Sequence, residues 1–547
     1  EFLRTLFKIN EGDVFSRKAL NKGIEKATEA YGSAGFYQAT PAPDFVFRDV
    51  DPETGQPLPG EHPAIVDINM KFQEGTQFFI NRITFHGNTT TLDQVIRREM
   101  RIAEGGVFNT LGLRESIRRL NQLGYFKPLE NAEAIKVTEV PGQTGRVDVG
   151  LTFEEQNRNS ISFGAGVSQF DGFFGQLSFQ TSNFLGRGET VGISLQRGSQ
   201  ARNYQVSFSE PYLFDRPITA GFDIFRRQFH YIGQYTQDST GTNTVVGFPI
   251  ADYTRMFMGY SYEKVTIRDI NPLYLQEEVL ASNPFLRDSL LIASGGKRTV
   301  SKISPSVVHN TVNQPIFPSA GRRLTADVDF AGLGGNSNFW QTRFEAIQFI
   351  PFTNRLSLGM RAEVQYVRPF GSTLNLPIFE RYFLGGEYSV RGFDLRTIGP
   401  RDQSGQIVLG GNKTMLFNAE FNINIAGPVR LLAFYDAGQV RDIGENFGWW
   451  EDVTEIIPPP RPVLYDPLTT ITLREFGTLP PVNQEVVIGR RNAFKTSTGL
   501  ELRFFMPVLN VPFRLIAAYN PQRGGVLNNS LQPQPKFTFR FAVGTTF

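Results

Sequence analysis

The chain has 547 residues, with 55 Lys+Arg against 53 Asp+Glu, so a strongly basic surface for nucleic acid is not indicated. It holds no Cys, which excludes disulfides and thiolate metal sites. Only 40% of residues are hydrophobic and no apolar run reaches about 18 residues, which excludes a membrane-spanning helix but not a barrel, whose strands alternate. The 50 Phe, 17 Tyr and 53 Gly suit interfacial girdles, strands and turns. Residue 1 follows no signal-peptide pattern, and the reading is a fragment, or a mature protein cut within a domain.

Residues 1–156 carry helical periodicity and an internal repeat. Ile9-Asn10-Glu11-Gly12-Asp13-Val14-Phe15-Ser16 resembles Ile102-Ala103-Glu104-Gly105-Gly106-Val107-Phe108-Asn109. Amphipathic stretches follow, 17–31 and 110–123, with Ser16 and Asn109 as N-caps. Each ends in Gly-aromatic-aromatic, Gly35-Phe36-Tyr37 and Gly124-Tyr125-Phe126, where glycine suits a helix C-terminus. A strand ends each unit, near 65–68 and 146–149. The second unit, 76–156, also has an opening strand at 78–85 and a helix at 92–101. The first unit, 1–75, lacks its opening strand.

From about residue 157 the helical period disappears and sixteen strands are predicted: 160–170, 174–184, 189–198, 203–210, 218–231, 241–249, 253–266, 298–312, 322–331, 339–350, 355–368, 412–424, 430–440, 493–505, 513–520 and 536–547. In the last, Phe537, Phe539, Phe541, Val543 and Phe547 share one parity, and Lys536, Thr538, Arg540, Gly544 and Thr546 the other. Successive strand residues point to opposite faces, so such segments fit a wall with lipid outside and water inside. Short turns (185–188, 351–354, 426–428) alternate with long connections (267–297, 369–411, 441–492), the asymmetry of outer-membrane barrels. An even count puts both barrel ends on the short-turn side, where a periplasmic domain must sit. The insertion 441–492, with Trp449, Trp450 and Pro458-Pro459-Pro460, reads as an extracellular cap.

Parity also places charges. On strand 412–424, Phe417, Ala419, Phe421 and Ile423 share one face, so Asn418, Glu420, Asn422 and Asn424 face inward. On 430–440, Leu431, Ala433 and Tyr435 face out and Asp436 inward. Nothing reads as an enzyme. His62, His86, His230 and His309 are scattered without ligand spacing, no Ser-His-Asp order appears, and Gly164-Ala165-Gly166 is a strand segment rather than a phosphate loop.

The repeated unit resembles the POTRA domain, the periplasmic module of outer-membrane assembly proteins. Within 369–411, Phe383-Leu384-Gly385-Gly386-Glu387-Tyr388-Ser389-Val390-Arg391-Gly392-Phe393 resembles the loop-six signature of the BamA family. The segments 203–212, Gly410-Gly411-Asn412 and Phe434-Tyr435-Asp436-Ala437-Gly438 are also similar to that family.

The resemblance implies periplasmic α+β POTRA domains followed by a 16-stranded antiparallel transmembrane β-barrel (157–547) in the outer membrane of a Gram-negative-type bacterium. It implies an assembly factor that folds and inserts client barrels, without cofactor or metal. The partners implied are unfolded outer-membrane proteins, accessory lipoproteins, periplasmic chaperones and the bilayer. The loop carrying Val390, Arg391, Gly392 and Phe393 would fold into the lumen, with Arg391 bridging to Glu420, Asp436 or both, since a desolvated guanidinium needs acceptors. Edge strands 64–71 and 146–153 would bind an extended client by β-augmentation. The seam between the first strand (Ser160, Phe163, Gly164, Gly166) and the last (Phe541, Gly544, Phe547) would pair weakly and template a client strand. A polypeptide translocator of the two-partner-secretion type is the alternative within the family, and a passive porin the alternative outside it.

Overall fold

The structure is a computed structural model that describes residues 2–48, 65–129, 133–292, 294–314, 318–353, 355–402, 404–426, 429–457, 484–506 and 511–543. His62, the Gly427-Pro428 turn, the 458–460 proline run, Gly544 and Phe547 lie outside the described residues. The chain divides into two units, Glu1–Asn159 with Thr181–Thr190, and Ser160–Gln180 with Val191–Phe547.

The first unit opens with α1 (Phe2–Leu6) and α2 (Arg17–Ser33), then a hairpin of β1 (Thr40–Phe47) and β2 (Val66–Gln73). Ser16 caps α2 by accepting from the Ala19 amide. The repeat follows as β3 (Phe79–His86), α3 (Asp93–Arg97), α4 (Thr110–Leu123), β4 (Ile135–Glu139) and β5 (Arg146–Thr152). Asn109 caps α4 by accepting from Gly112, and Gly124 ends it at φ 65°, a left-handed conformation that glycine adopts without strain. Ile80, Phe108, Leu120, Val147 and Val149 make the core between sheet and helices.

The sheet order β3-β5-β4 corrects one expectation: the strand at 146–153 is not an edge. Val147, Val149 and Leu151 are fully buried, and β5 pairs in parallel with β3 and antiparallel with β4. Three buried β-branched and aliphatic residues on alternate positions signal an interior strand, which parity alone does not separate from an edge. The outer side of β3 is partly covered, because Ile80 donates its amide to Gly106. Among the described residues β4 has no second neighbour in its sheet, and β2 has none beyond β1.

The second unit is a continuous 16-stranded antiparallel sheet. Its strands are β6 (Asn159–Ser168), β7 (Gly172–Phe184), β8 (Glu189–Gly198), β9 (Ala201–Glu210), β10 (Thr219–Tyr231), β11 (Tyr235–Ala251) and β12 (Thr254–Arg268), all joined by short connections. After the short helices α5 (Glu277–Ser282) and α6 (Phe285–Ser289) come β13 (Lys297–Asn310), β14 (Gly321–Ala331), β15 (Phe339–Pro351), β16 (Leu356–Pro369), β17 (Lys413–Ala426) and β18 (Val429–Arg441). A separate hairpin of β19 (Trp450–Ile457) and β20 (Gln484–Asn492) projects from the insertion before β21 (Lys495–Met506), β22 (Val511–Gln522) and β23 (Phe537–Val543).

The alternation sorts side chains as a membrane wall requires. On β17, Phe417, Phe421 and Ile425 are exposed on the outer face, while Asn418, Glu420 and Asn422 are buried inside. On β23, Phe537 and Phe539 are 73% and 74% exposed, values that in water would leave whole aromatic rings unburied. Facing hydrocarbon, the same pattern is stabilising. Among the described residues no helix is long and apolar enough to cross a membrane.

Candidate functional site

Loop 370–412, between β16 and β17, folds inward instead of lying in solvent. Arg381 anchors its base by donating to the Leu409 and Gly410 carbonyls, at 2.8 Å each, and pairing with Asp442. Val390 and Phe393 are fully buried in an apolar cluster with Leu384, Ile398, Leu416, Val440 and Val526. That cluster turns the intervening Arg391 toward the strands.

Arg391 is wholly buried. Its Nε and Nη2 form a fork on Asp436 at 2.8 and 2.7 Å, and its Nη1 reaches Glu420 at 2.7 Å. The Phe434 ring lies 3.9 Å from the guanidinium carbon, a cation–π contact. Asn418 donates to Asp436 at 2.8 Å. Bidentate geometry on one acid with a second acid at hydrogen-bond distance is what makes a desolvated charge tolerable.

Three further members were not foreseen in the sequence. Glu501 on β21 accepts from Arg391 at 3.2 Å, from Arg503 at 2.7 Å and from Arg514 on β22 at 2.8 Å through each of its oxygens. Arg503 also reaches Glu420 at 3.3 Å. Arg391, Arg503 and Arg514 therefore balance Glu420, Asp436 and Glu501. The signal was available: Leu500, Leu502 and Phe504 face out, which puts Glu501 and Arg503 inside.

Gly392 makes the approach possible. A Cβ there would overlap the Asn520 amide and the Ser497 hydroxyl. With no Cβ, its carbonyl accepts from Asn520, Gln534, Thr538 and Arg540 at 2.8–3.2 Å. Thr538 and Arg540 belong to β23, so the loop is bonded directly to the last strand.

The seam is where the sheet ends. β6 and β23 are its two terminal strands, and among the described residues no ladder joins them. They are nonetheless adjacent, since a Cβ on Gly166 would lie 3.1 Å from a Val543 methyl. A cleft of about 70 Å³, lined by Ser162, Phe163, Gly164, Phe174, Phe513 and Val543, marks the gap. Ser160 lies at the exposed end of β6, Gly166 faces β23, and Phe541 lies on the outer face of β23.

A wall of sixteen alternating strands, a lumenal loop held by a buried arginine, and a preceding α+β repeat define a transmembrane barrel with POTRA-type modules. Residues 183–547 match the model of the Omp85 superfamily domain, and 1–75 and 78–156 each match the POTRA model, described as a surface antigen variable number repeat. The chain belongs to the Omp85 superfamily.

It is similar to the outer membrane protein assembly factor BamA of Neisseria meningitidis, 25% identical over 454 residues, covering 80% of this chain and 55% of the relative. The chain spans about half the length of the curated relatives it matches. Among solved structures, BamA from Haemophilus ducreyi lacking POTRA domains 1–3 aligns at TM-score 0.68 and 21% identity, covering 99% of this chain and 97% of that one. CdiB from Acinetobacter baumannii aligns at TM-score 0.51 and 13% identity, covering 99% and 85%. These likenesses establish the fold: POTRA units and a nearly closed 16-stranded barrel.

Proposed function

We propose that this protein is an outer-membrane assembly factor that folds client β-barrels and inserts them into the bilayer. The carrying observation is the seam: two adjacent terminal strands, unpaired among the described residues, in an otherwise continuous sheet. An unpaired strand edge inside hydrocarbon is costly, because no water satisfies its N–H and C=O groups. An incoming client strand satisfies them, so the edge acts as a template. The drive comes from the client's own burial of apolar surface and closure of its hydrogen bonds. The small inward residues of β6, Gly164 and Gly166 among them, leave the strand few side-chain contacts with which to hold a partner.

Exposed backbone on β2 and β4 would receive extended clients in the periplasm by strand addition. Periplasmic chaperones that deliver unfolded chains, and accessory lipoproteins docked on the POTRA units, complete the proposed set of partners.

The test exploits the absence of Cys. A Cβ on Gly166 lies beside a Val543 methyl, within range of a disulfide, so Gly166→Cys with Val543→Cys would staple the seam. In liposomes the wild type is expected to speed folding of an added unfolded barrel client. The oxidised double variant is expected to lose that acceleration and recover it on reduction. Full activity of the stapled protein would overturn the templating mechanism. Passage of a polypeptide across the liposome wall, with no client inserted, would instead support the two-partner-secretion alternative.

A further inference from the structure

Three residues beyond Arg391, the loop offers a second acid. Asp394 Oδ1 accepts from Arg540 of the last strand at 2.7 Å and from Gln169, at the tip of the β6–β7 hairpin, at 3.1 Å. Its Oδ2 accepts from the Asn529 amide, in the segment leading into β23, at 2.9 Å. One carboxylate thus touches both sides of the seam. Its side chain is about one-fifth exposed and that of Arg540 about one-eighth, so the ion pair is shielded more than a surface pair would be. The Tyr388 hydroxyl adds a hydrogen bond to the Val543 carbonyl at 2.7 Å, on the same strand.

We propose that Asp394 is a clasp across the seam: a positioning residue that holds the β6–β7 hairpin and β23 together through the lumenal loop. This deepens the assembly reading and rests on it for its purpose, though not for its geometry. Where a barrel normally closes through backbone ladder bonds, here side chains from a third element supply part of the closure. The clasp has a fixed base, because Arg391 is bound to β17, β18 and β21, on the wall beside β22 and β23. Its two arms differ in their donors: Arg540 brings a full positive charge, whereas Gln169 brings a neutral amide to the same carboxylate oxygen. Breaking either arm costs little beside unzipping a full ladder, so the seam can open without disturbing the other fifteen strand pairings.

Hydrogen–deuterium exchange on the full chain in lipid nanodiscs, without client, reads each strand separately. Asp394→Ala is expected to raise exchange several-fold in β6 and β23 while β14 and β15 stay unchanged. Gln169→Ala is expected to raise it in β6, with β23 still held by Arg540. Asp394→Arg combined with Arg540→Asp is expected to restore protection of β23. Unchanged exchange in both lips for Asp394→Ala would overturn the clasp. So would an equal rise in β14 and β15, because that reports general loosening. Client assembly by the wild type is scored in a separate reaction. Flat exchange with active wild type defeats the clasp alone, and an inactive wild type with responsive exchange defeats the assembly reading alone.

Discussion

At the scale of the residue, strand parity sets which acceptors the loop arginine meets. Glu420 and Asp436 could be placed inside because Phe417, Phe421 and Tyr435 had to be outside. Glu501 and Arg514 obey the same rule on strands that carry no motif, and a charge on a barrel's polar face ordinarily signals only a wet lumen. The extended network changes what a substitution should do. Arg391→Ala would leave the buried Glu420, Asp436 and Glu501 with one cation fewer, a loss of about 3–5 kcal/mol for a broken buried pair. Heat-dependent gel mobility should show earlier unfolding, and protease should cut within 383–398. Adding Asp436→Asn should recover part of the loss, since it removes the orphaned acid. A double variant worse than the single one would mean that Asp436 stabilises the fold by contacts other than Arg391.

At the scale of the element, periodicity resolved the strands well, because alternation is sustained over ten or more residues in a wall with lipid on one side. It did less well where elements are short or set by partners. The hairpin β19–β20 was hidden in a long insertion, since two strands pairing only with each other need no core. The interior position of β5 depended on which neighbours it meets, and that is a tertiary fact. A loop-to-linker contact was also invisible: Glu155 accepts from the backbone amides of Thr90 and Thr91 and from the Thr89 hydroxyl at 2.7–3.0 Å. Partial burial would raise its pKa, but these donors outweigh it and hold the carboxyl down at about 2. A depressed folded-state pKa stabilises above the unfolded value, about 4.3, and the benefit fades as pH falls toward 2. Glu155→Gln should therefore speed amide exchange at 89–91 at pH 7, by an amount equivalent to roughly 1 kcal/mol after solvent screening. After correction for intrinsic exchange rates, variant and wild type should converge near pH 2. A gap that persists there would show that the charge of Glu155 is not what orders the segment.

At the scale of the whole barrel, the sixteen strands alone do not separate an assembly factor from a pore, since porins use the same number. What separates them is the filling of the lumen. The loop residues Ile378, Ile407 and Leu409 pack with Leu286, Leu290 and Leu291 from the α5–α6 segment and with Tyr235 and Ile267 from the strands, all of them buried. An apolar core at the long-loop end cannot coexist with a stable column of water through it. The intact protein should consequently show little steady conductance in a planar bilayer. Leu286→Asp with Leu290→Asp places unpaired charges in that core, which either displace the covering segments or draw water in, and conductance should rise several-fold. Seam-dependent client folding should survive this change, because both leucines belong to this cluster and not to the one around Val390 and Phe393. A large wild-type conductance, indifferent to both substitutions, would mean that the covering segments stand aside in the membrane and that the porin reading must be taken up again.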